Sequence, residues 1–265
     1  LWPMIVADFG EDAAPVLATL QSRAPVFLRV NAAKTSPEAA IRSLATDGIG
    51  ARQSPLSPTA LVVTENPRRV QNSAAYRDGL VELQDAASQA VVDRLLAFAK
   101  GASVLDYCAG GGGKALHLAA GGALRVVAHD ADPERMRDIP ARAERGGHSI
   151  EIADRPVGLF DCVLTDVPCS GSGAWRRQPE AKWRLTPEGL VELSKVQDTI
   201  LDEARGYLRP GGVLAYVTCS ILSDENEARV DAFLARHKGW TSLLRERFAP
   251  GADGDGFFVA LLRQK

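Results

Sequence analysis

From residue 102 onward, short apolar runs alternate with longer segments in which apolar residues recur at helical spacing. The runs predict strands at 103–107, 125–129, 149–152, 162–165 and 213–218. The longer segments predict helices at about 114–120, 133–145, 187–208 and 224–237. Strands that alternate with helices form a parallel sheet with helices on both faces. We therefore expect an α/β fold with a doubly wound, Rossmann-like sheet, which a last strand at 256–263 completes. Pro140 should break or kink the helix that contains it.

The first 85 residues lack this regular alternation. The sequence predicts a helix around 13–22 and a strand at 26–30, followed by a helix that begins at Pro37 after the N-cap residue Ser36. Residues 51–80 mix Pro, Ser and Asn with one apolar run, and a further helix is predicted at 86–98. We therefore divide the chain into a small N-terminal α+β domain, residues 1–85, and a larger domain, residues 86–265.

Composition is that of an ordinary globular protein, with 46% hydrophobic and 24% charged residues among 265. No apolar run approaches the roughly 18 residues that span a bilayer, so we expect no membrane partner. The net charge is −2, and any nucleic acid must therefore be recognised by a local basic patch. The four cysteines form no C-x-x-C pair, which argues against a metal site or a disulfide scaffold and favours a reduced, cytoplasmic protein.

A glycine-rich loop follows the strand predicted at 103–107 and precedes a helix. Glycine lets the backbone approach a ligand closely. Acidic residues follow three successive strands, at Asp130, Asp154 and Asp166, and a carboxylate at a strand end can bind ribose hydroxyls. The pattern leaves three interpretations open: a dinucleotide site, a site for S-adenosylmethionine, and a glycine-rich turn without a ligand.

Two cysteines follow predicted parallel strands, Cys169 in a Pro-Cys-Ser sequence and Cys219 in a Thr-Cys-Ser sequence. If these strands are neighbours, both thiols face one cleft at the carboxyl edge of the sheet. A thiolate that attacks C6 of cytosine makes C5 able to accept a methyl group, and a nearby acid stabilises the charge on the ring. The alternative is that a cysteine is a small buried hydrophobe, which is our interpretation of Cys162.

At these residues the sequence resembles the RNA (cytosine-5) methyltransferase family. The matching stretches are Asp106-Tyr-Cys-Ala-Gly-Gly-Gly-Gly-Lys114, Asp166-Val-Pro-Cys-Ser-Gly-Ser-Gly173, Arg176-Arg-Gln-Pro-Glu-Ala-Lys-Trp183, Thr218-Cys-Ser220, Asp224-Glu-Asn-Glu227 and Asp255-Gly-Phe-Phe258. The Arg-Arg run is most similar to the bacterial enzymes that act on small-subunit ribosomal RNA. The resemblance implies a Rossmann-like methyltransferase domain that uses S-adenosylmethionine.

The resemblance also implies roles for individual residues. Cys219 is expected to be the nucleophile, and Cys169 to assist release of the methylated product. Asp166 is expected to contact the cytosine ring, and Lys114 to position groups in the active site. S-adenosylmethionine is expected to lie against the following residues: Cys108, Ala109, Gly110, Gly111, Gly112, Gly113, Lys114, Asp130, Asp154 and Asp166.

The basic run at 175–184 is the candidate RNA-binding surface, since cations bind phosphates and aromatic rings stack on bases. Its candidate residues are Trp175, Arg176, Arg177, Lys182 and Arg184. The alternative is a solvated charged loop with its Trp packed inward. A base within a duplex cannot reach buried thiols, so we expect a single-stranded or flipped-out cytosine, in ribosomal RNA. We expect the N-terminal domain to bind RNA as well, and the protein to be a monomer.

Two departures from the family pattern bear on the substrate. Gly111 stands where the family usually has Pro, and the chain is too short for the helical N-terminal RNA-binding domain that the ribosomal enzymes commonly carry. Three other functions stay open: an inactive RNA-binding relative, an enzyme that methylates tRNA, and a methyltransferase that acts on an exocyclic nitrogen. Asp166-Val-Pro-Cys lacks the aromatic residue typical of the last class. A dehydrogenase fits Asp130 but has no use for the thiol pair.

Overall fold

The computed structural model describes all 265 residues. The helices are α1 (Trp2–Phe9), α2 (Ala13–Gln21), α3 (Pro37–Thr46), α4 (Ala74–Arg77), α5 (Ala86–Ala99), α6 (Gly113–Ala120), α7 (Ile139–Gly146), α8 (Ala181–Arg184), α9 (Pro187–Ala204) and α10 (Glu227–Arg236). The strands are β1 (Phe27–Val30), β2 (Ala51–Gln53), β3 (Ala60–Val63), β4 (Val81–Leu83), β5 (Ser103–Asp106), β6 (Arg125–Ala128), β7 (Glu151–Ile152), β8 (Phe160–Asp166), β9 (Leu208–Thr218), β10 (Trp240–Phe248) and β11 (Phe257–Gln264). The chain packs as two compact units, one of Pro25–Val157 and one of Leu1–Ala24 with Gly158–Lys265.

The unit Pro25–Val157 begins with an antiparallel four-stranded sheet in the order β2-β3-β1-β4. Helix α3 starts where the sequence predicts, because the Ser36 hydroxyl accepts a hydrogen bond from the Ala39 N–H at 3.3 Å. Leu28, Leu44 and Leu61 are fully buried in the core of this sheet. The predicted α+β character of this region is therefore confirmed, with two short strands, β2 and β4, that the sequence did not indicate.

The same unit contains the first three parallel strands. Strand β5 pairs with β6, and β6 pairs with β7, with α6 and α7 in the connections. The predicted break at Pro140 is confirmed: a short 3-10 turn at Pro133–Met136 is followed by α7, in whose first turn Pro140 lies. Strand β5 leads into the glycine-rich loop, and β6 leads to Asp130.

The second unit contains the strands that carry the cysteines. Strands β8 and β9 are parallel, with α9 between them, and β11 and β10 extend the sheet antiparallel to β9. The strand order is β10-β11-β9-β8 in this unit and β5-β6-β7 in the other, and parallel strands in both fit the predicted α/β fold. Strand β10 was not predicted because it carries charged residues. Two of them are paired with acids of α10, Arg245 with Asp231 and Arg247 with Glu227.

Helices α1 and α2 pack with the C-terminal part of the chain. Their apolar residues Ile5, Val16 and Leu20 share a buried cluster with Trp175 and Leu222. The predicted boundary at residue 85 falls between the four-stranded sheet and α5, whereas the packing groups the first 24 residues with 158–265. No helix has both the length and the apolar character that are needed to cross a membrane.

Candidate active site

Two loops bring Cys169 and Cys219 together. Strand β8 ends three residues before Cys169, and β9 ends immediately before Cys219. Because the two strands are parallel neighbours, with Asp166 opposite Val217, both loops leave the same edge of the sheet. The two Sγ atoms lie 3.4 Å apart, and both side chains are partly exposed. The expectation that the two thiols meet is therefore correct.

The surroundings of Cys169 perturb its thiol. The hydrogen bond with Cys219 raises the pKa of the Cys169 thiol well above its ordinary value, and burial and the electrostatic effects of Cys219 and Glu225 act in the same direction. Cys169 therefore keeps its proton at neutral pH. Cys162 lies inside β8 with 1% exposure, where burial raises its pKa to about 12. It is the small buried hydrophobe that we expected.

Glycine is required where the Cys169 loop crosses the chain near the last strand. The Gly173 N–H donates to the Cys219 carbonyl at 2.9 Å, and the Gly256 N–H donates to the Gly173 carbonyl at 2.9 Å. A Cβ atom on Gly173 would lie 2.1 Å from the Gly256 carbonyl oxygen. Only glycine therefore permits this close approach, which ties the two cysteine loops to the start of β11.

A network of buried hydroxyl groups lies behind the two cysteines. The Ser172 and Ser220 hydroxyls are 2.9 Å apart, and the Thr218 hydroxyl donates to the Asn226 amide oxygen at 2.6 Å. The fully buried carboxylate of Glu225 is at the centre of this network. Glu225 lies in the Asp224–Glu227 stretch that resembles the family, but the resemblance assigns it no role.

The glycine-rich loop is built around Asp130. Gly110 and Gly112 have φ angles of +50° and +78°, which other residues rarely adopt. The Gly110 N–H donates to Asp130 Oδ2 at 2.8 Å, and Asp130 is 3% exposed at the end of β6. Arg135 forms an ion pair with the same carboxylate at 3.2 Å. The structure thus joins two of the predicted cofactor residues, Gly110 and Asp130, directly.

Two arginines also hold this loop by its carbonyl groups. Arg29 of β1 donates to the Gly113 carbonyl at 2.7 Å, and Arg142 of α7 donates to the Gly111 carbonyl. Burial lowers the pKa of Arg29 to about 10, so it stays charged at neutral pH. No local signal in the sequence indicates either contact, because each arginine is far along the chain from the loop.

The remaining cofactor candidates differ in their surroundings. Lys114 lies in the first turn of α6 and is 8% exposed, and Ala109 is 9% exposed. Cys108 and Asp166 are partly buried at the ends of their strands. Asp154 is exposed in a bend after β7. Asp130 is buried and lies beside a turn with positive φ angles, whereas Asp154 is exposed. The surroundings of Asp130 therefore suit a small polar ligand better than those of Asp154.

Two of the expected RNA-binding residues face inward. Trp175 is 3% exposed, and its indole N–H donates to the Ser170 carbonyl at 3.2 Å. The Arg176 side chain is 1% exposed and forms a 2.6 Å ion pair with buried Asp255. The structure therefore gives no support to the expectation that Trp175 and Arg176 contact RNA, because their polar groups are already bonded within the chain. The inward packing of Trp175 agrees with the alternative interpretation of this run, in which its Trp packs inward.

The exposed part of the basic run is shorter than predicted. Arg177 is partly exposed but also bonds Asp255, while Arg184 and Trp183 are exposed, Trp183 to 81%. The Lys182 ammonium lies 5.2 Å from the centre of the Trp183 ring. A cation beside an exposed aromatic ring is the combination that binds an unpaired nucleotide.

Comparisons with known proteins agree with this geometry. The family model described as 16S rRNA methyltransferase RsmB/F matches residues 93–263, and the ferredoxin-like domain of RsmF/B-like methyltransferases matches residues 1–71. A Xylella fastidiosa protein named ribosomal RNA small subunit methyltransferase B is 35% identical over 288 residues, covering 98% of this chain and 66% of its own length. The protein of the same name from Cronobacter sakazakii is 35% identical over 291 residues, covering 100% of this chain and 67% of its own length.

The chain thus spans about two thirds of the length of these relatives. Among solved structures, NSun6 from Pyrococcus horikoshii with SFG has a TM-score of 0.86, covers 100% of this chain and 97% of its own, and is 20% identical. This likeness shows a shared fold.

Proposed function

The chain belongs to the 16S rRNA methyltransferase RsmB/F family, and from that premise we propose that it transfers a methyl group from S-adenosylmethionine to C5 of a cytosine in RNA. The observation that carries the proposal is the pair of thiols, whose Sγ atoms lie 3.4 Å apart. A methyl transfer to oxygen or to an exocyclic nitrogen needs no thiol. A transfer to C5 needs one, because C5 becomes nucleophilic only after a group adds to C6.

Cys219 is the nucleophile in this mechanism. Its thiolate forms a bond with C6, and the electron pair of the C5–C6 double bond then takes up the methyl group at C5. S-adenosylmethionine supplies that methyl group when it is bound. The C5 proton leaves to water, the C6–sulfur bond breaks, and the Cys219 thiolate is restored. Asp166 contacts the ring and stabilises the charge that develops on it.

Cys169 assists the release step. Its sulfur lies 3.4 Å from the Cys219 sulfur, so its S–H group stabilises the thiolate that leaves C6 by a hydrogen bond. Without Cys169 the leaving thiolate lies in a partly buried site without that donor. The covalent protein–RNA intermediate then persists longer.

The glycine-rich loop and Asp130 hold the methyl donor. The Asp130 carboxylate orients the Gly110 N–H, and a carboxylate at a strand end can accept hydrogen bonds from ribose hydroxyls. Cys108, Ala109 and residues 110–113 provide the backbone against which the ligand lies, and Lys114 positions groups near it. Asp154 and Asp166 are the remaining residues that we assign to this site.

Small-subunit ribosomal RNA is the proposed substrate, and Lys182, Trp183 and Arg184 are its proposed contacts on the exposed basic run. The names of the relatives support this substrate, and the exposed Trp183 with its neighbouring cation supports an unpaired nucleotide. We propose that the N-terminal α+β domain also contacts RNA and that the protein acts as a monomer.

The test is adduct formation by single-cysteine variants. Wild type, Cys169→Ala, Cys219→Ala and the control Cys162→Ala are incubated with 16S rRNA and S-adenosylmethionine. We expect Cys169→Ala to accumulate a covalent protein–RNA adduct on denaturing gels, Cys219→Ala to form none, and Cys162→Ala to behave as wild type. Nucleoside mass spectrometry should show 5-methylcytosine. An adduct in Cys219→Ala would overturn the assignment of the nucleophile, and methylation of tRNA but not 16S rRNA would overturn the substrate.

A further inference from the structure

Glu225 is a buried carboxylate without a cationic partner. It is fully buried, and no Lys, Arg or His forms an ion pair with it. Oε1 accepts hydrogen bonds from the Ser170 N–H at 2.8 Å and from the Gln197 amide at 3.0 Å. Oε2 accepts from the hydroxyls of Ser170 and Ser220, both at 2.5 Å. Burial of a charge is costly unless it is fully hydrogen-bonded, so this arrangement is built for a carboxylate.

The two serines identify what the carboxylate holds. Ser170 directly follows Cys169, and Ser220 directly follows Cys219, so one side chain bonds the residues next to both thiols. Gln197 of α9 strengthens the link, since it donates to the Pro168 carbonyl at 3.0 Å as well as to Glu225. These contacts join residues that are 55 and 5 positions from Glu225 along the chain.

We propose that Glu225 is a positioning residue for methyl transfer, whose carboxylate holds the Cys169 and Cys219 loops together so that the two sulfur atoms stay in contact. The proposal rests on the proposed roles of the two thiols. Glu225 touches neither RNA nor methyl donor in this assignment. It acts through the residues that carry the sulfur atoms.

The charge of Glu225 has a second effect, on the proton of Cys169. The groups that face Cys169 are Cys219 and Glu225, and the Gly171 N–H opposes them. Tyr216 of β9 is the next titratable group, with its hydroxyl donating to the Glu225 carbonyl at 2.5 Å and with a pKa that burial raises. The negative charge of Glu225 raises the pKa of Cys169 and so helps to keep that thiol protonated.

Glu225→Gln tests positioning and charge together, because Gln keeps the size but loses the charge and places a donor where the serines donate. We expect kcat to fall about 100-fold, with KM for RNA unchanged, since a displaced thiol affects the chemical step. The alkaline limb of the pH–kcat profile should move to lower pH, because Cys169 ionises more easily without a neighbouring charge. Glu227→Gln is the matched control: that carboxylate pairs with Arg247, and its loss should leave kcat and the profile unchanged.

Ser220→Ala separates the two effects. It removes one hydrogen bond and keeps the charge, so kcat should fall while the alkaline limb stays in place. An unshifted limb in Glu225→Gln would overturn the charge effect. Wild-type kcat in Glu225→Gln, or an equal loss in Glu227→Gln, would overturn the positioning role.

A readout without RNA separates this inference from the proposed function. Alkylation of Cys169 by iodoacetamide, measured by peptide mass spectrometry across pH, is compared in Cys219→Ala and in Cys219→Ala/Glu225→Gln. We expect the double variant to alkylate at lower pH. If it does, while wild type methylates no RNA, the proposed function fails and the effect of Glu225 on Cys169 stands. Coincident curves overturn that effect whatever the substrate.

Discussion

Arg176 is predicted to stabilise the fold and not to bind RNA. Its guanidinium donates to buried Asp255 at 2.6 Å, to the Gly251 carbonyl at 2.9 Å and to the Gly254 carbonyl at 2.7 Å. Arg176→Met removes all three bonds, leaves both carbonyl groups without this donor and leaves Arg177 as a remaining partner of Asp255. Loss of one partner from a buried ion pair costs about 3–5 kcal/mol, and three hydrogen bonds from a charged donor at about 1.5 kcal/mol each lead to the same range.

The assay is thermal unfolding followed by circular dichroism, together with RNA affinity. For a chain of this size the loss corresponds to a fall in Tm of roughly 6–20 °C. Arg184→Met, in the same basic run but exposed, is the matched control. It should change stability by no more than about 0.5 kcal/mol, and should weaken RNA binding and reduce its dependence on salt concentration.

If Arg176→Met unfolds at the wild-type temperature and loses RNA affinity as Arg184→Met does, Arg176 contacts RNA and its buried ion pair contributes nothing to stability. The original expectation from the sequence would then be correct. A fall in Tm together with RNA affinity equal to wild type, measured at a temperature where the variant is folded, supports the structural role.

Two other predictions concern Gly173 in the Cys169 loop and Cys162 inside β8. Gly173→Ala should destabilise the protein by about 1–3 kcal/mol, because its Cβ would overlap the Gly256 carbonyl; Gly206→Ala, with no atom within 4 Å of its Cβ, is the control, and equal Tm values for the two variants would contradict the prediction. Cys162, whose pKa burial raises to about 12, should resist iodoacetamide at pH 8 in the folded protein and react only after unfolding in urea. Rapid labelling of Cys162 in the native protein, measured by peptide mass spectrometry, would show that β8 opens.

Local signals predicted the elements whose residues specify them alone. Helix α3 carries its own N-cap at Ser36, and Pro140 ends one helical segment and starts another. Strands β5, β6, β8 and β9 are continuous apolar runs, as buried parallel strands are. Strand β10 has no such run, because it carries Arg245 and Arg247. Acids on α10 pair with these two charges, and only the folded chain brings the partners together.

By itself the sequence determined the α/β fold and the residue types from which the candidate chemistry follows, a glycine-rich turn and two cysteines at strand ends. Only the tertiary structure decided which of these residues meet. The two sulfurs are 50 residues apart in the chain and 3.4 Å apart in space. The proposed positioning role of Glu225 depends on its hydrogen bond with Ser170. Arg176, expected to bind RNA, instead bonds Asp255, which is 79 residues away along the chain. A side chain's partners depend on packing between distant segments, and spacing along the chain does not encode them.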